Sequence, residues 1–202
     1  MTELYSIFSI PVLETDIGYS KESIDHIHSL EYCRTDYDNA DISVSMDVLN
    51  HPKLKKYSDR IDHFVRKFCF DYVKYDKTRL KLERTSSWSN RYHPNDWCQF
   101  HNHANAFITG VWYLETPDGG GDLDLHNPRH SFGEPISFEV YEFNSYNSHG
   151  RRFHCTPGKL LVFPSIIGHS VEKNRSDKVR SCIAFNYYAR GEVTSEDKVF
   201  YT

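Results

Sequence analysis

The chain has 202 residues, 39% of them apolar and 15% aromatic, with a formal net charge of −4, a length that suits one domain with its own core. A mildly acidic chain without a long Lys/Arg run has no electrostatic footprint for duplex nucleic acid, and it contains no apolar run of about 18 residues that could span a membrane. The N-terminus lacks the basic and apolar regions of a secretory signal, and the 5 cysteines contain no CxxC spacing, so reduced thiols in a cytoplasmic protein are expected.

Residues 4–12 read as an entry strand. Residues 20–30 predict a first helix, with Ser20 as N-cap and Ile24, Ile27 and Leu30 at helical spacing. Residues 36–40 are polar and turn-like. The clearest helix covers residues 51–75, where Leu54, Tyr57, Ile61, Phe64, Val65 and Phe68 recur at three and four. From about residue 79 the period changes. Strands are expected over 80–92, 107–114, 122–125, 159–163 and 179–188, with turns at Asn95-Asp96 and Gly119-Gly120-Gly121. Residues 129–156 carry aromatics, His and Arg without a period, and read as a lid or as a pair of edge strands. No repeat and no domain linker is visible. The expected fold is α+β, mainly β: one domain over 1–202, with strand and helices in 1–78 packed on one side of a jelly-roll core in 79–190.

Twelve histidines direct attention to a metal. In His101-Asn102-His103, strand geometry would send positions i and i+2 to one face, where two imidazoles can reach one ion. His169, after a buried strand and a tight turn, is the third candidate ligand. Three ligands leave open positions, the mark of a catalytic metal. Imidazole suits iron, zinc, copper or nickel alike. Arg180 begins an apolar strand and needs an anionic partner, which a ligand carboxylate gripped by both arms of the guanidinium would provide. Asp122 or Asp124 is an alternative source of an oxygen ligand.

These residues carry a resemblance. The order HxH, Thr109-Gly110-Val111-Trp112-Tyr113-Leu114, Gly-Gly-Asp-Leu, Pro-Gly-Lys-Leu-Leu-Val-Phe-Pro-Ser, His169, Arg180 and Phe185-Asn186 resembles the iron(II)- and 2-oxoglutarate-dependent oxygenases over about residues 85–187. It is most similar to an uncharacterised branch common in tailed phages and marine bacteria. The resemblance implies a double-stranded β-helix with iron(II) on His101, His103 and His169, and 2-oxoglutarate gripped by Arg180. It implies cosubstrate contacts from Tyr113 and Asn90, a pocket role for Asn186, and a substrate contact from Arg129. This sequence departs from the branch's motifs at Ala104 (Pro) and Cys182 (Ser of RxS, beside the cosubstrate carboxylate). It departs from the wider superfamily at His103 (Asp), which leaves the metal without an anionic protein ligand.

The reading is a dioxygenase that couples O2 and 2-oxoglutarate to hydroxylation of a small-molecule or peptide substrate, releasing succinate and CO2. Two alternatives are a cupin-like three-His dioxygenase that does not use 2-oxoglutarate and a non-catalytic jelly-roll module. Substrate and oligomeric state do not follow from the sequence.

Overall fold

The structure is a computed structural model and describes residues 2–4, 9–35, 39–128, 139–144 and 146–191. In chain order the strands are β1 (Leu13–Asp16), β2 (Tyr32–Thr35), β3 (Ala40–Ser43), β4 (Leu80–Tyr92), β5 (Cys98–His101), β6 (Ile108–Glu115), β7 (Leu123–His126), β8 (Gly150–Phe153), β9 (Lys159–Pro164), β10 (His169–Val171) and β11 (Arg180–Gly191). Helix α1 spans Lys21–His28 and α2 spans Lys55–Arg66. Two antiparallel sheets face each other. The major sheet has the order β1-β9-β6-β11-β4-β3-β2 and the minor sheet β5-β10-β7-β8, the jelly-roll arrangement that the strand pattern implied. Among the described residues, no helix is long and apolar enough to cross a membrane.

Strand alternation divides the major sheet into two chemically different faces. Ile108, Trp112 and Leu114 of β6 and Ile183, Phe185 and Tyr187 of β11 pack with Ile27 of α1 and Tyr57, Ile61 and Val65 of α2. Trp112 anchors this layer: its ring stacks on Tyr57 at 4.6 Å and its Nε1 donates to the Gly18 carbonyl at 3.0 Å. On the other face, Val111, Tyr113, Leu161, Phe163 and Cys182 meet Leu123, Leu125 and Phe153 of the minor sheet. The two central strands approach closely at Gly110, where an added Cβ would lie 2.3 Å from the Phe185 ring and 2.6 Å from the Leu161 carbonyl oxygen.

Four expectations change. The entry strand is β1, beyond Pro11, and residues 9–12 form no strand; Pro11 has no N–H to give a ladder. The helix expected over 51–75 is a chain of short pieces. Two 3-10 turns, Val48–Asn50 and Pro52–Leu54, precede α2, and a π turn over Lys67–Tyr72 follows it. Pro52 can begin a helical turn but cannot continue one. The hairpin β2–β3 was not anticipated; of the turn at 36–40, residues 36–38 lie outside the described residues. In the described part of 129–156 one edge strand, β8, pairs with β7; residues 129–138 and 145, on which the rest of that expectation falls, lie outside the described residues. The N-terminal limit of α1 agrees with the sequence: Ser20 accepts from the Ser23 N–H at 3.2 Å and the Ser23 hydroxyl returns the contact, a reciprocal cap.

Candidate metal centre

β10 is the strand that assembles the centre. It lies between β5 and β7, and its first residue, His169, sits directly opposite His101, the last residue of β5. The β5 register is irregular: His169 faces His101 and Val171 faces Cys98, so two steps on β10 match three on β5. A bulge of this kind re-aims side chains, and here both Cys98 and His101 reach the space between the sheets. His169 is delivered by a tight turn after Pro164, closed by the Ile167 N–H donating to the Pro164 carbonyl at 3.1 Å.

His103 is placed differently from the sequence expectation. It lies beyond the end of β5, outside any strand, so strand alternation is not what aligns it with His101. Its N–H donates to the Ser165 carbonyl at 3.0 Å, and its own carbonyl accepts from Ala106 at 3.0 Å. The side chain nonetheless converges with the other two. One ligand atom from each of His101, His103 and His169 lies within 4.8 Å of the others, and the ring centroids are 4.2 Å (His101–His169), 5.2 Å (His103–His169) and 5.3 Å (His101–His103) apart.

The rings are prepared for a cation. His101 Nδ1 donates to the Gln99 carbonyl at 2.9 Å, and His169 Nδ1 to the Ile167 carbonyl at 2.9 Å. Each backbone bond leaves the Nε2 lone pair free to coordinate. Burial, reinforced by the neighbouring His101, holds His103 down to about 4 and His169 down to about 3, so both are neutral bases at ordinary pH. Three converging imidazoles without a counter-charge are a poor arrangement for protons and a good one for a divalent metal with nitrogen preference. The donor set therefore fits iron(II).

A cavity of about 330 Å³ connects this cluster to Arg180, and Asn90, Tyr113 and Cys182 line it. Arg180 is 1% exposed. One arm of its guanidinium donates to the carbonyls of Gly121 at 2.9 Å and Gly120 at 3.3 Å, and its plane lies over the Tyr92 ring at 4.1 Å. The Nε is buried without a hydrogen-bond partner, and a buried guanidinium short of a counter-charge is costly. Among the described residues, Arg180 is the one Lys, Arg, Asp or Glu in the cavity lining. Its unspent donor and charge fit a carboxylate at the end of the cavity away from the histidines. Burial pushes the Cys182 thiol up to about 11 and the Tyr113 phenol well above its usual range, so neither competes as an anion.

The remaining candidates separate. Asn186 is not among the cavity-lining residues; its side chain accepts from the Thr109 hydroxyl. Asp124 is paired with Arg152 at 2.9 Å and Asp122 with His154 at 3.0 Å, and neither joins the histidine cluster, which removes the alternative oxygen ligand. Arg129 lies outside the described residues. Sequence reading missed Trp88, whose ring stacks on His103 at 5.7 Å, and Tyr92 beneath Arg180. Both share a β4 face with Asn90 at a spacing of two, so the alternation that placed Asn90 was available for them. Ile42 and Met46, also in the lining, had no such signal, because the hairpin that carries Ile42 was not expected.

A family model described as "Putative 2OG-Fe(II) oxygenase" matches residues 86–186. No curated protein matches the chain. Among solved structures, it is similar to a prolyl hydroxylase from Trichoplax adhaerens in complex with a hypoxia-inducible-factor peptide, at 13% identity over 88% of this chain and 83% of that one, with a TM-score of 0.61. It is also similar to HygX from Streptomyces hygroscopicus with nickel and 2-oxoglutarate bound (11% identity, 96% and 92% covered, TM-score 0.60). A third is the carbocyclase SnoK of nogalamycin biosynthesis (12% identity, 93% and 84% covered, TM-score 0.61). At these identities the likeness is one of fold.

Proposed function

The chain belongs to the 2OG-Fe(II) oxygenase family, and from that premise we propose that His101, His103 and His169 are its iron ligands and that Arg180 grips the distal carboxylate of 2-oxoglutarate. The observation that carries the assignment is a single cavity with three lone pairs converging at one place and an unsatisfied buried arginine at another. A five-carbon dicarboxylate can span such a pair of partners, with its 2-oxo acid end toward the histidines. When bound, iron(II) supplies the position at which O2 and the 2-oxo acid react, yielding succinate, CO2 and an oxygen atom for a substrate C–H.

The chain's own residues do the positioning. Arg180 offers the carboxylate a desolvated partner with little reorganisation left to make, because the Gly120 and Gly121 carbonyls and the Tyr92 ring already hold it. Tyr113 and Asn90 line the same cavity and flank Cys182 in the strand register, which makes them the cosubstrate contacts of this reading. Cys182, where the related branch has serine, turns its sulfur to the Asn90 amide at 3.9 Å and is a weaker partner for a carboxylate than a hydroxyl would be. Trp88, which stacks on His103, and Met46 and Ile42 are apolar parts of the cavity lining. The substrate is a small molecule or a peptide, oxidised while water is excluded. A reducing cytoplasm suits the five free thiols.

The test is anaerobic titration of the purified protein with Fe(II) and 2-oxoglutarate. A weak visible band from the iron–2-oxo acid complex, followed on O2 addition by succinate release, is the expected result. No band and no succinate would overturn the assignment. O2 uptake with small thiols and none with 2-oxoglutarate would favour the cupin-like chemistry that three-His sites also serve.

A further inference from the structure

The cavity face of the major sheet changes character along its strands. The register sets three rows across it: Arg180 beside Tyr92; then Ile42, Asn90, Cys182 and Tyr113; then Trp88, Ala184 and Val111. Each row is two residues further along β11, so the third lies about 13 Å from the first at about 3.3 Å per residue. The first row holds the charge, the second holds polar side chains, and the third carries no ionic group. The Thr109 hydroxyl, two residues before Val111 on β6, already donates to Asn186. The third row lies by the metal centre, because the Trp88 ring stacks on His103 with centroids 5.7 Å and planes 25° apart. It also reaches solvent. The Met46 carbonyl accepts the Ser87 N–H at 2.8 Å, which holds Met46 against β4 next to Trp88. Its side chain lines the cavity, and the residue is 50% exposed.

We propose that Trp88 and Met46 form the substrate subsite, and that it takes an uncharged group, an aromatic ring or an aliphatic end, whose C–H is presented beside His103. The inference rests on the iron and 2-oxoglutarate assignment above. In that reading the cosubstrate, anchored at Arg180, fills the first two rows, and the side left for the substrate is the one at Met46. The two charges of the cosubstrate offset the two of the metal. A charged substrate group would therefore lose its water without finding a counter-charge, since among the described residues Arg180 is the one Lys, Arg, Asp or Glu in the lining. An apolar group gains by the same transfer, and a ring against the flat indole gains aromatic contact as well. Met46 adds an unbranched thioether that adapts its shape to what enters. Size sets a second limit. Pockets for one drug-sized ligand run from about 300 to 1,000 Å³, and this cavity of about 330 Å³ is shared with the cosubstrate. One end group of a larger substrate fits inside, with the remainder beyond Met46.

The experiment uses the full chain loaded with Co(II) and 2-oxoglutarate, titrated with three probes that share one ring: benzyl alcohol (neutral), benzoate (anionic) and benzylammonium (cationic). The readout is the paramagnetic effect of Co(II) on the probe's proton NMR signals, with Zn(II) as the diamagnetic control. Wild type is expected to bind benzyl alcohol close to the metal, and to bind each charged probe at least about 10-fold more weakly. Trp88→Ala is expected to weaken benzyl alcohol about 10-fold or more while the protein still holds Co(II) and 2-oxoglutarate. Met46→Glu puts a charge at the half-exposed mouth and is expected to weaken benzyl alcohol and shift the preference toward benzylammonium, a reversal that a purely structural role would not predict. It decides the matter if Trp88→Ala does not fold. Equal binding of the three probes, preference of the wild type for a charged one, or no paramagnetic effect on benzyl alcohol at millimolar concentration would overturn the proposal. So would wild-type binding of benzyl alcohol in a folded Trp88→Ala or Met46→Glu. Failure of the wild-type protein to bind Co(II) or 2-oxoglutarate would instead overturn the assignment on which the subsite rests.

Discussion

The two faces of the major sheet are made by the same strands and do opposite things. Odd positions of β11 such as Ile183, Phe185 and Tyr187 enter a layer of apolar side chains under α1 and α2. Even positions such as Arg180 and Cys182 enter a cavity where a charge is buried and histidine lone pairs are left free. The difference teaches that stability and reactivity are separated here by one residue of register. The helix face holds the fold, whereas the cavity face carries the residues proposed to take a cation and a dicarboxylate, so each face should be breakable without the other.

The largest effect is expected on the cavity face. His169→Ala should abolish stoichiometric Fe(II) binding, measured by metal analysis after gel filtration, while the protein stays folded; retained iron would show that the site is misassigned. Next, Trp112→Ala on the helix face should lower unfolding stability by about 3–5 kcal/mol, measured by denaturant titration. The variant that remains folded should bind Co(II) as wild type does, and a matching loss of metal affinity would erase the distinction between faces. Arg180→Ala should weaken 2-oxoglutarate binding by roughly 10- to 100-fold, from the loss of charge-assisted hydrogen bonds worth about 1.5–3 kcal/mol, and spare Fe(II); equal cosubstrate affinity would remove that role.

The two smaller effects lie away from both faces. The Asp96 carboxyl is buried, which alone would raise its pKa, but bonds of 2.6 Å to each arm of Arg34 and one from the His93 N–H hold it below its ordinary value. A folded-state value below the unfolded one, about 3.9, means that its stabilisation is present above that pH and is lost as pH falls through the folded value. Asp96→Asn should therefore flatten the acid limb of melting temperature against pH, below about pH 4, and an unchanged limb would count against the pair. Smallest of all, Asp124→Asn removes a pair with the half-exposed Arg152 and should cost under about 1 kcal/mol, with no change in metal affinity. Loss of metal there would bring back the oxygen ligand that the geometry removes.

Much of this is legible in the sequence. The change from a three-and-four period to a period of two predicted helices followed by a sheet sandwich. His101, His103, His169 and Arg180 were all picked out, because few residue types bind metals or need an anion when buried. What local pattern could not carry was mostly a matter of distant partners. Residues 67–72 satisfy a helical pattern, and only the packing of Phe68 and Cys69 against the core accompanies their π turn. Strands β2 and β3 are four residues each with mixed burial, too short and irregular to announce themselves.

The sequence by itself determined the chemistry on offer: three imidazoles, one arginine due for burial, reduced thiols, and strands long enough to bury them. Side-chain type and period are local properties, readable one residue at a time. The tertiary structure alone decided how the chemistry is assembled. It placed His103 beyond its strand, let a bulge turn His101 inward, brought His169 opposite it at the start of β10, and tied Asn186 to Thr109 outside the cavity lining. Those outcomes depend on the register between strands far apart in the chain, set by the whole core at once and encoded at no single position.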